Sequence, residues 1–454
     1  MKSDEDSCVW SSAGRIDKGE SAVKISVYRG SVAGKICSGM LLVALLLLST
    51  GCFSGTRRET LTVLWWGDVY NAAFAKKLID AYNATGPRLP ARLVTVQGTA
   101  YAQKILTMAA SGTMPDVALL NNRDARSIGA RGALMDLAGM TAQPEFRRTE
   151  EAMWPRVMEG AKSGNKVFGI PIWTWTPGIY YNKELFDKAG LGYPDNDWTW
   201  EDFMQAAERL TIVKNGRKVQ YGIIYGLSLT DNIFMSYIYS HGGEIYSKDM
   251  KRCLLDSEET LAAVRSLADY KLKRGIAPTE AESAGLQAGV LADAFQSGKV
   301  AMRMSGRDAV DVLTQGGISF RWGAAPMPRG PKGAYRFTTQ ACLSVASKTE
   351  HFQEAWNFIS FVVSSKGQRI ITADRSDVSV LKAAAYEDDY VNYKDRPDVN
   401  IMFRDILQDA RPCPYMPGSE EWLSFALNRF QLVEVGSLSV EEACRQIASR
   451  YNKK

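Results

Sequence analysis

Two tryptophans separated by one residue, Trp173 and Trp175, stand in the stretch KVFGIPIWTWTPGIYYN, residues 166–182. Side chains alternate along an extended chain, so both indoles are expected on one face. An indole packs well against the C–H-rich face of a sugar ring or of another amphipathic ligand. Two core tryptophans at a sheet edge would show the same spacing, and the spacing alone does not separate these alternatives.

The backbone around the two indoles is expected to pass from one sheet to another. Pro171 lacks an N–H group for a sheet ladder and keeps Ile170 extended. A β-branched and aromatic run with such a proline can leave one sheet and enter a second. We therefore predict a crossing at 171–176, and a second crossing at 324–327, which contains Pro326.

Strand and helix patterns alternate in the first third of the chain beyond residue 59. The patterns predict strands at 60–67, 91–96 and 116–121 and helices at 71–82 and 100–111. This order with short turns indicates a parallel sheet wound by helices, which binds ligands beyond the carboxyl ends of its strands. The candidate ligand-binding residues at these ends are Trp66, Asp68, Tyr101 and Asn121.

Further helices and strands are predicted after the first crossing. Thr199 and Asp202 form a capping-box pattern at a helix start, and Gly242 allows a turn or a close backbone approach. The predicted helices are 199–210, 231–240, 257–274, 286–296 and 352–364, and the predicted strands are 221–225, 298–304 and 340–346.

The front of the chain has the layout of a secretory signal. The apolar run MLLVALLLL, residues 40–48, is shorter than the ~20 residues needed to span a bilayer. Basic residues precede it, and Ser49-Thr50-Gly51-Cys52 follows. We expect residues 1–51 to be removed on export, Cys52 to carry a lipid anchor, and 52–59 to be a linker.

Composition and motifs narrow the class of protein. The 454 residues favour two domains, and a net charge of +5 without a basic stripe does not indicate a nucleic-acid partner. The cysteines after Cys52 are widely spaced, which indicates no metal site and favours unpaired buried thiols over a disulfide. No cofactor fingerprint or nucleophile elbow is present, and we predict neither catalytic residues nor a cofactor.

Several longer stretches resemble one family. They are YAQKILTMAASGTMPDV, FGIPIWTWTPGIYYNKELFDKAGL, WTWEDFMQAAERL, FQSGKVAMRMSGRD, WGAAPMPRG, CLSVASKTEHFQEAWNFISFVVSSKGQ and RPCPYMPGSEEW. Their identity and order resemble the extracellular solute-binding proteins of bacterial ABC importers, in the carbohydrate-binding, maltose-binding-protein-like branch. The resemblance extends from about Leu61 to the C-terminus.

The resemblance implies an α/β fold of two lobes joined by several crossings, with a ligand held between them. One lobe would comprise 60–171 and 324–374, and the other 175–322 and 375–454. The implied function is the capture of a sugar or oligosaccharide and its delivery to the membrane permease subunits. The implied location is the cell envelope or periplasm, and we expect a monomer.

The resemblance also places candidate ligand contacts in the second half of the chain. Arg307 and Asp308 stand where the maltose-binding relative has Pro-Trp, so a stacking ring is absent there. This exchange favours hydrogen bonds to hydroxyl groups, or an arginine contact with an acidic sugar. The further candidates are Asp231, Asn232, Gly242, Thr338 and Tyr415.

Three alternatives remain open from the sequence. A glycosidase needs only two carboxylates, and the sequence leaves room for such a pair. A binding protein for a polyamine, a peptide or a metal chelate would share the same fold. The third alternative is a structural lipoprotein that binds no ligand.

Overall fold

The structure is a computed structural model that describes residues 59–453 apart from 68, 287–293, 316–317, 375–376 and 416–419. The described residues belong to one compact unit. The predicted signal segment, residues 1–51, and the predicted lipidation site, Cys52, lie outside the described residues.

The strands are numbered in chain order. They are β1 (Leu61–Trp66), β2 (Ala91–Val96), β3 (Val117–Asn121), β4 (Lys162–Ser163), β5 (Lys166–Val167), β6 (Ile170–Trp175), β7 (Gly178–Asn182), β8 (Ile212–Lys214), β9 (Arg217–Ile224), β10 (Val300–Ser305), β11 (Trp322–Pro326), β12 (Arg329–Gly330), β13 (Gly333–Ala334), β14 (Phe337–Val345), β15 (Val378–Ser379) and β16 (Arg411–Pro412).

The helices are numbered in the same way. They are α1 (Val69–Asn83), α2 (Gly98–Ser111), α3 (Asn122–Ala130), α4 (Ala138–Thr141), α5 (Pro144–Ala152), α6 (Val157–Ala161), α7 (Lys183–Ala189), α8 (Trp200–Arg209), α9 (Asn232–Ser240), α10 (Glu258–Leu272), α11 (Glu280–Leu286), α12 (Ala309–Gln315), α13 (Phe352–Val362), α14 (Ser365–Asp374), α15 (Asp388–Val391), α16 (Pro397–Asp405), α17 (Glu420–Glu434) and α18 (Val440–Asn452).

A seven-stranded sheet contains the N-terminal strands. Its order is β15-β6-β14-β3-β1-β2, and β16 pairs with β14. Strand β1 runs parallel to β2 and β3, which confirms the predicted parallel arrangement of the first three strands. Strand β14 runs antiparallel to β3 and β6, so the complete sheet is mixed.

The proline of the central stretch lies inside this sheet, next to an irregularity. Ala341 of β14 is opposite Trp173, whereas Cys342 is opposite Pro171, so Ile172 has no partner residue in the register. A proline has no N–H to donate to the ladder. It is tolerated inside a sheet at such a bulge, because the bulge already interrupts the ladder there. The bulge thus allows β6 to remain between β14 and β15.

A five-stranded sheet follows directly after β6. Its order is β11-β7-β10-β9-β8, with β7 antiparallel to both β10 and β11. Only Thr176 and Pro177 separate the end of β6 from the start of β7. A second connection leaves the five-stranded sheet after Pro326 and returns to the seven-stranded sheet through the β12–β13 hairpin. The chain therefore passes from one sheet to the other close to both predicted crossings.

Each sheet packs in its own apolar cluster. Trp65, Phe74 and Phe358 belong to the cluster around the seven-stranded sheet. Trp200 and Phe203 of α8 belong to the cluster around the five-stranded sheet. The predicted capping box at the start of α8 is present. The Thr199 side chain accepts from the Asp202 backbone N–H, and the Asp202 side chain accepts from the Thr199 backbone N–H.

Some predicted boundaries differ from those in the structure. Strand β9 begins at Arg217, because an exposed hairpin with β8 extends the buried part of the strand. Strand β14 begins at Phe337, three residues earlier than expected. The helix predicted at 286–296 lies partly outside the described residues, and the described helix α11 ends at Leu286.

The four cysteines after Cys52 are buried free thiols, as the spacing had favoured. Within the described ranges, no helix combines the length and the apolar character needed to cross a membrane.

We predict that Gly222→Ala destabilises the protein. A Cβ at Gly222 would lie 2.1 Å from the Ala207 carbonyl oxygen of α8, so the helix must move off the sheet. Overpacking of this kind costs about 1–3 kcal/mol of the free energy of unfolding. Gly192→Ala, where a Cβ meets no atom within 4 Å, is the matched control. Equal urea midpoints for the two variants would contradict the packing described here.

Candidate functional site

A cavity of about 240 Å³ lies where the ends of β1, β3, β6 and β14 meet the turn after β10. This volume is close to the lower end of the ~300–1,000 Å³ range of small-molecule pockets, which suits a small ligand. The cavity is lined by Trp66, Asn121, Trp173, Trp175, Asp308, Thr339, Gln340, Ala341 and Asp377.

Three indoles form the apolar part of this cavity. Trp66 and Trp173 pack edge to face, with ring centroids 6.0 Å apart. Trp173 is 3% exposed, whereas Trp66 and Trp175 are half-buried and keep surface available for a ligand. Trp65 precedes Trp66 in β1, so strand alternation turns it to the opposite side, and it is completely buried. The two indoles expected on one face therefore line one cavity.

The Trp175 indole joins the two sheets through a hydrogen bond. Its Nε1–H donates to Oδ1 of Asp308 over 2.8 Å. A Cβ at Gly306 would lie 1.9 Å from Trp175 Nε1, so only glycine allows the indole to lie against this turn. This contact fixes the orientation of the ring at the cavity wall.

Asp308 is the carboxylate of the cavity that remains exposed to solvent. Protein atoms that crowd its side chain raise its pKa, and the nearby charge of Asp377 raises it further. The Trp175 hydrogen bond and the positive charge of Arg303 act in the opposite direction. The balance is a carboxyl group with a pKa above its ordinary value of 3.8.

Arg307, a predicted ligand contact, does not line this cavity. It is 2% exposed, and its guanidinium donates to Asn400 Oδ1 and to the carbonyl oxygens of Asp377 and Tyr390. The guanidinium also lies over the Tyr390 ring, 4.1 Å from its centroid. These contacts tie the turn after β10 to residues 377–400, which is a structural role.

Asn121 and Tyr101 have local partners that explain their positions. Asn121 caps α3, because its side chain accepts from the Asp124 backbone N–H and donates to the Asp124 carboxylate. The Tyr101 hydroxyl donates to the Leu119 carbonyl oxygen, and burial raises the pKa of this hydroxyl. Tyr101 packs edge to face on Trp66 and so supports that ring from behind.

Three candidates from the five-stranded half are not among the residues that line the cavity. Asp231 caps α9 by accepting from the backbone N–H groups of Ile233 and Phe234, and burial raises its pKa. Asn232 is buried at the start of the same helix. Gly242 has φ +93°, which favours glycine in the turn after α9. A ligand contact of these three residues stays a prediction.

Thr338 and Tyr415 lie on neighbouring backbone but also outside the cavity wall. Thr338 is buried and its hydroxyl donates to the Arg411 carbonyl oxygen. Arg126 donates to the Tyr415 carbonyl oxygen, and the Arg123 guanidinium lies 5.4 Å from the Tyr415 ring centroid. The remaining candidate, Asp68, lies outside the described residues.

Asp377 and the three β14 residues of the wall were not predicted from the sequence. Strand alternation places the side chains of Thr339 and Ala341 on the same face of β14. The sequence does not indicate which face of this strand lies towards the ligand. Asp377 follows α14 and has no motif around it. Its position depends on the short β15–β6 pairing, for which the sequence has no signal.

A larger cavity, of about 420 Å³, lies between β11 and α16 and contains no indole. Arg336, which precedes β14, lines that cavity instead of the indole-lined one. Across the described residues, no group of three or more His, Cys, Asp or Glu residues could hold a metal ion.

The two sheets and the cavity at their junction are typical of a solute-binding protein. Residues 67–369 match the family model "Bacterial extracellular solute-binding protein", and the chain belongs to that family. The fold is the predicted two-lobed α/β fold of periplasmic binding proteins. The position of the lobe boundaries stays a prediction.

Three relatives show how far the similarity extends. A Brucella abortus protein, named only as a binding protein, is 25% identical over 83% of this chain and 88% of its own length. The multiple sugar-binding protein of Streptococcus mutans is 23% identical over 68% of this chain and 72% of its own. An ABC substrate-binding protein of Listeria monocytogenes, solved in complex with cycloalternan, has a TM-score of 0.75 and 21% identity, and the match covers 87% and 98% of the two chains.

We predict that Asp308→Asn stabilises the protein more at neutral than at acidic pH. The amide oxygen can still accept from Trp175, while the charge beside Asp377 is removed. Because the folded-state pKa is raised above 3.8, ionisation of Asp308 lowers stability as the pH rises from 3.8 through the folded pKa. The variant should therefore gain in melting temperature, relative to the wild type, between about pH 4 and about pH 7. A difference in melting temperature between the variant and the wild type that stays constant over this pH range would contradict the raised pKa of Asp308.

Proposed function

We propose that this chain is the substrate-binding component of an ABC importer, which captures a sugar or oligosaccharide between two lobes and delivers it to a membrane permease. The observation that carries the proposal is the cavity lined by Trp66, Trp173 and Trp175 at the junction of the two sheets. Polar side chains of Asp308 and Thr339 share its wall.

The chemistry of this wall suits a polyhydroxylated ring. The exposed indole surfaces of Trp66 and Trp175 offer faces on which C–H groups stack. Asp308 offers a carboxylate that accepts charge-assisted hydrogen bonds from hydroxyl groups. Apolar faces and directed acceptors in one small cavity are the combination that a sugar requires.

The relatives support a sugar as the class of ligand. One is named a multiple sugar-binding protein, and one was solved with cycloalternan. The family is one of solute-binding proteins, and we accordingly propose a binding role without a catalytic residue or a cofactor.

Lobe closure couples binding to delivery in this proposal. The link Thr176–Pro177 and the return after Pro326 are the connections about which the sheets would move. A ligand that contacts Trp66 on one side and Asp308 on the other favours the closed form by its higher affinity for that form. The closed form would dock on the permease.

The front of the chain supports a location at the cell envelope. The apolar run at 40–48 followed by Cys52 fits export and anchoring through a lipid. An anchored monomer would remain close to its permease subunits.

A sugar screen with a double variant tests the site. We expect neutral mono- and oligosaccharides to raise the melting temperature of the wild type, because a ligand specific to the folded state stabilises it. Trp66→Ala with Trp175→Ala should weaken binding by at least about tenfold, since both stacking faces are lost. Trp198→Ala, outside the cavity, is the control for a general effect of removing a tryptophan. An unchanged affinity in the double variant would show that the sugar does not bind in this cavity.

Closure is tested by small-angle X-ray scattering. The sugar identified in the screen should lower the radius of gyration of the wild type, because the lobes approach each other around it. The double tryptophan variant, at the same sugar concentration, should keep the ligand-free value. A bound wild type with an unchanged radius would contradict closure.

A further inference from the structure

The Trp175 ring has less packing support than the other two indoles of the cavity. Trp66 packs edge to face on Tyr101 and on Trp173. Among the described residues, no aromatic ring packs against Trp175, and its indole packs against neither of the two main apolar clusters. An indole has a single N–H group, and that of Trp175 donates to Asp308 Oδ1 over 2.8 Å. The orientation of this ring therefore depends on one hydrogen bond.

The turn that carries Asp308 is held by contacts of its own. Tyr180 of β7 is completely buried, and its hydroxyl donates to the Gly306 carbonyl oxygen over 2.8 Å. The Arg307 guanidinium donates to Asn400 Oδ1 over 2.9 Å. Neither contact involves Trp175. The position of the acceptor is thus fixed without the indole, and the ring follows the acceptor.

The backbone of this turn also limits where the indole can lie. A Cβ at Gly306 would lie 1.9 Å from Trp175 Nε1 and 2.5 Å from Asp308 Oδ1. The N–H edge of the ring is therefore held against the turn, while the half-buried residue lines the cavity. A ring that is held at one edge keeps a defined face for stacking.

The hydrogen bond joins the two sheets. Trp175 is the last residue of β6 in the seven-stranded sheet, and Asp308 follows β10 of the five-stranded sheet. A hydrogen bond tolerates only a few tenths of an ångström of stretching, so a displacement of about 1 Å between the two ends would break it. The orientation of this stacking face is therefore linked to the arrangement of the sheets.

We propose that Asp308 is a positioning residue for Trp175, which orients the indole face on which a sugar stacks. This inference rests on the proposed function and assigns a further role within its site. Without the acceptor the ring is free to rotate, and binding must then include the entropic cost of ordering it. The role is separate from a direct contact between the second carboxylate oxygen and a hydroxyl group.

A double-mutant cycle separates positioning from direct contact. The probe is the sugar that raises the melting temperature most in the thermal screen, titrated by calorimetry. Asp308→Ala should weaken its binding about thirtyfold in the wild type, but only about threefold in Trp175→Phe, whose ring has no N–H to position. Asp308→Asn should retain most of the affinity, because the amide oxygen still accepts from the indole. Equal losses in the two backgrounds would overturn the positioning role and leave sugar binding intact.

The indole N–H signal of Trp175 tests the same contact without a sugar. In ¹H–¹⁵N NMR spectra, Trp175→Phe identifies this signal, and the other indole signals report whether each variant is folded. Asp308→Ala should speed its exchange with water at least about tenfold, because the hydrogen bond is lost. Asp308→Asn should not.

Asp195→Ala is the matched control, because Asp195 is also exposed and does not line the indole-lined cavity. It should leave the exchange rate of the Trp175 N–H unchanged. An exchange rate that Asp308→Ala also leaves unchanged would overturn the positioning role, whatever the sugar screen shows. Absence of binding by every sugar in the screen would instead overturn the proposed function.

Discussion

The shortness of the link between β6 and β7 constrains the rest of the structure. Only Thr176 and Pro177 separate β6 of the seven-stranded sheet from β7 of the five-stranded sheet. Trp175 is the last residue of β6, so its side chain must lie close to the five-stranded sheet, beside the turn after β10. The absence of a Cβ at Gly306 lets the indole reach Asp308 there. The cavity exists because this contact holds strand ends from both sheets around one space.

Burial decides which polar groups near the cavity serve the fold and which remain available. Arg307 and Asp231 have their hydrogen-bonding capacity used by backbone and side-chain partners within the protein. Asp308 is exposed as a residue, while the protein atoms around its carboxyl group raise its pKa. Asp308 thus faces the cavity, whereas Arg307, the residue before it, holds the segment 377–400 in place.

Much of the first half of the fold was predictable because local patterns coincide with the tertiary arrangement. The three parallel strands and the position of Trp66 opposite to Trp65 follow from strand order and from alternation. The direction of Arg307 was not predictable, since it depends on packing against Tyr390, which is 83 residues away. Asp377 likewise reaches the wall through a two-residue strand, and pairing that short leaves no periodic signal in a sequence.

The buried thiols have a practical consequence for spectroscopy. Cys253, Cys342, Cys413 and Cys444 are buried, and burial raises the pKa of each thiol, so little thiolate forms at neutral pH. Because the thiolate is the reactive species, maleimide dyes should not label any of the four cysteines. In a protein that begins at Glu59, a cysteine engineered on the rim of the cavity would then be labelled selectively, and its fluorescence would report on occupancy in real time.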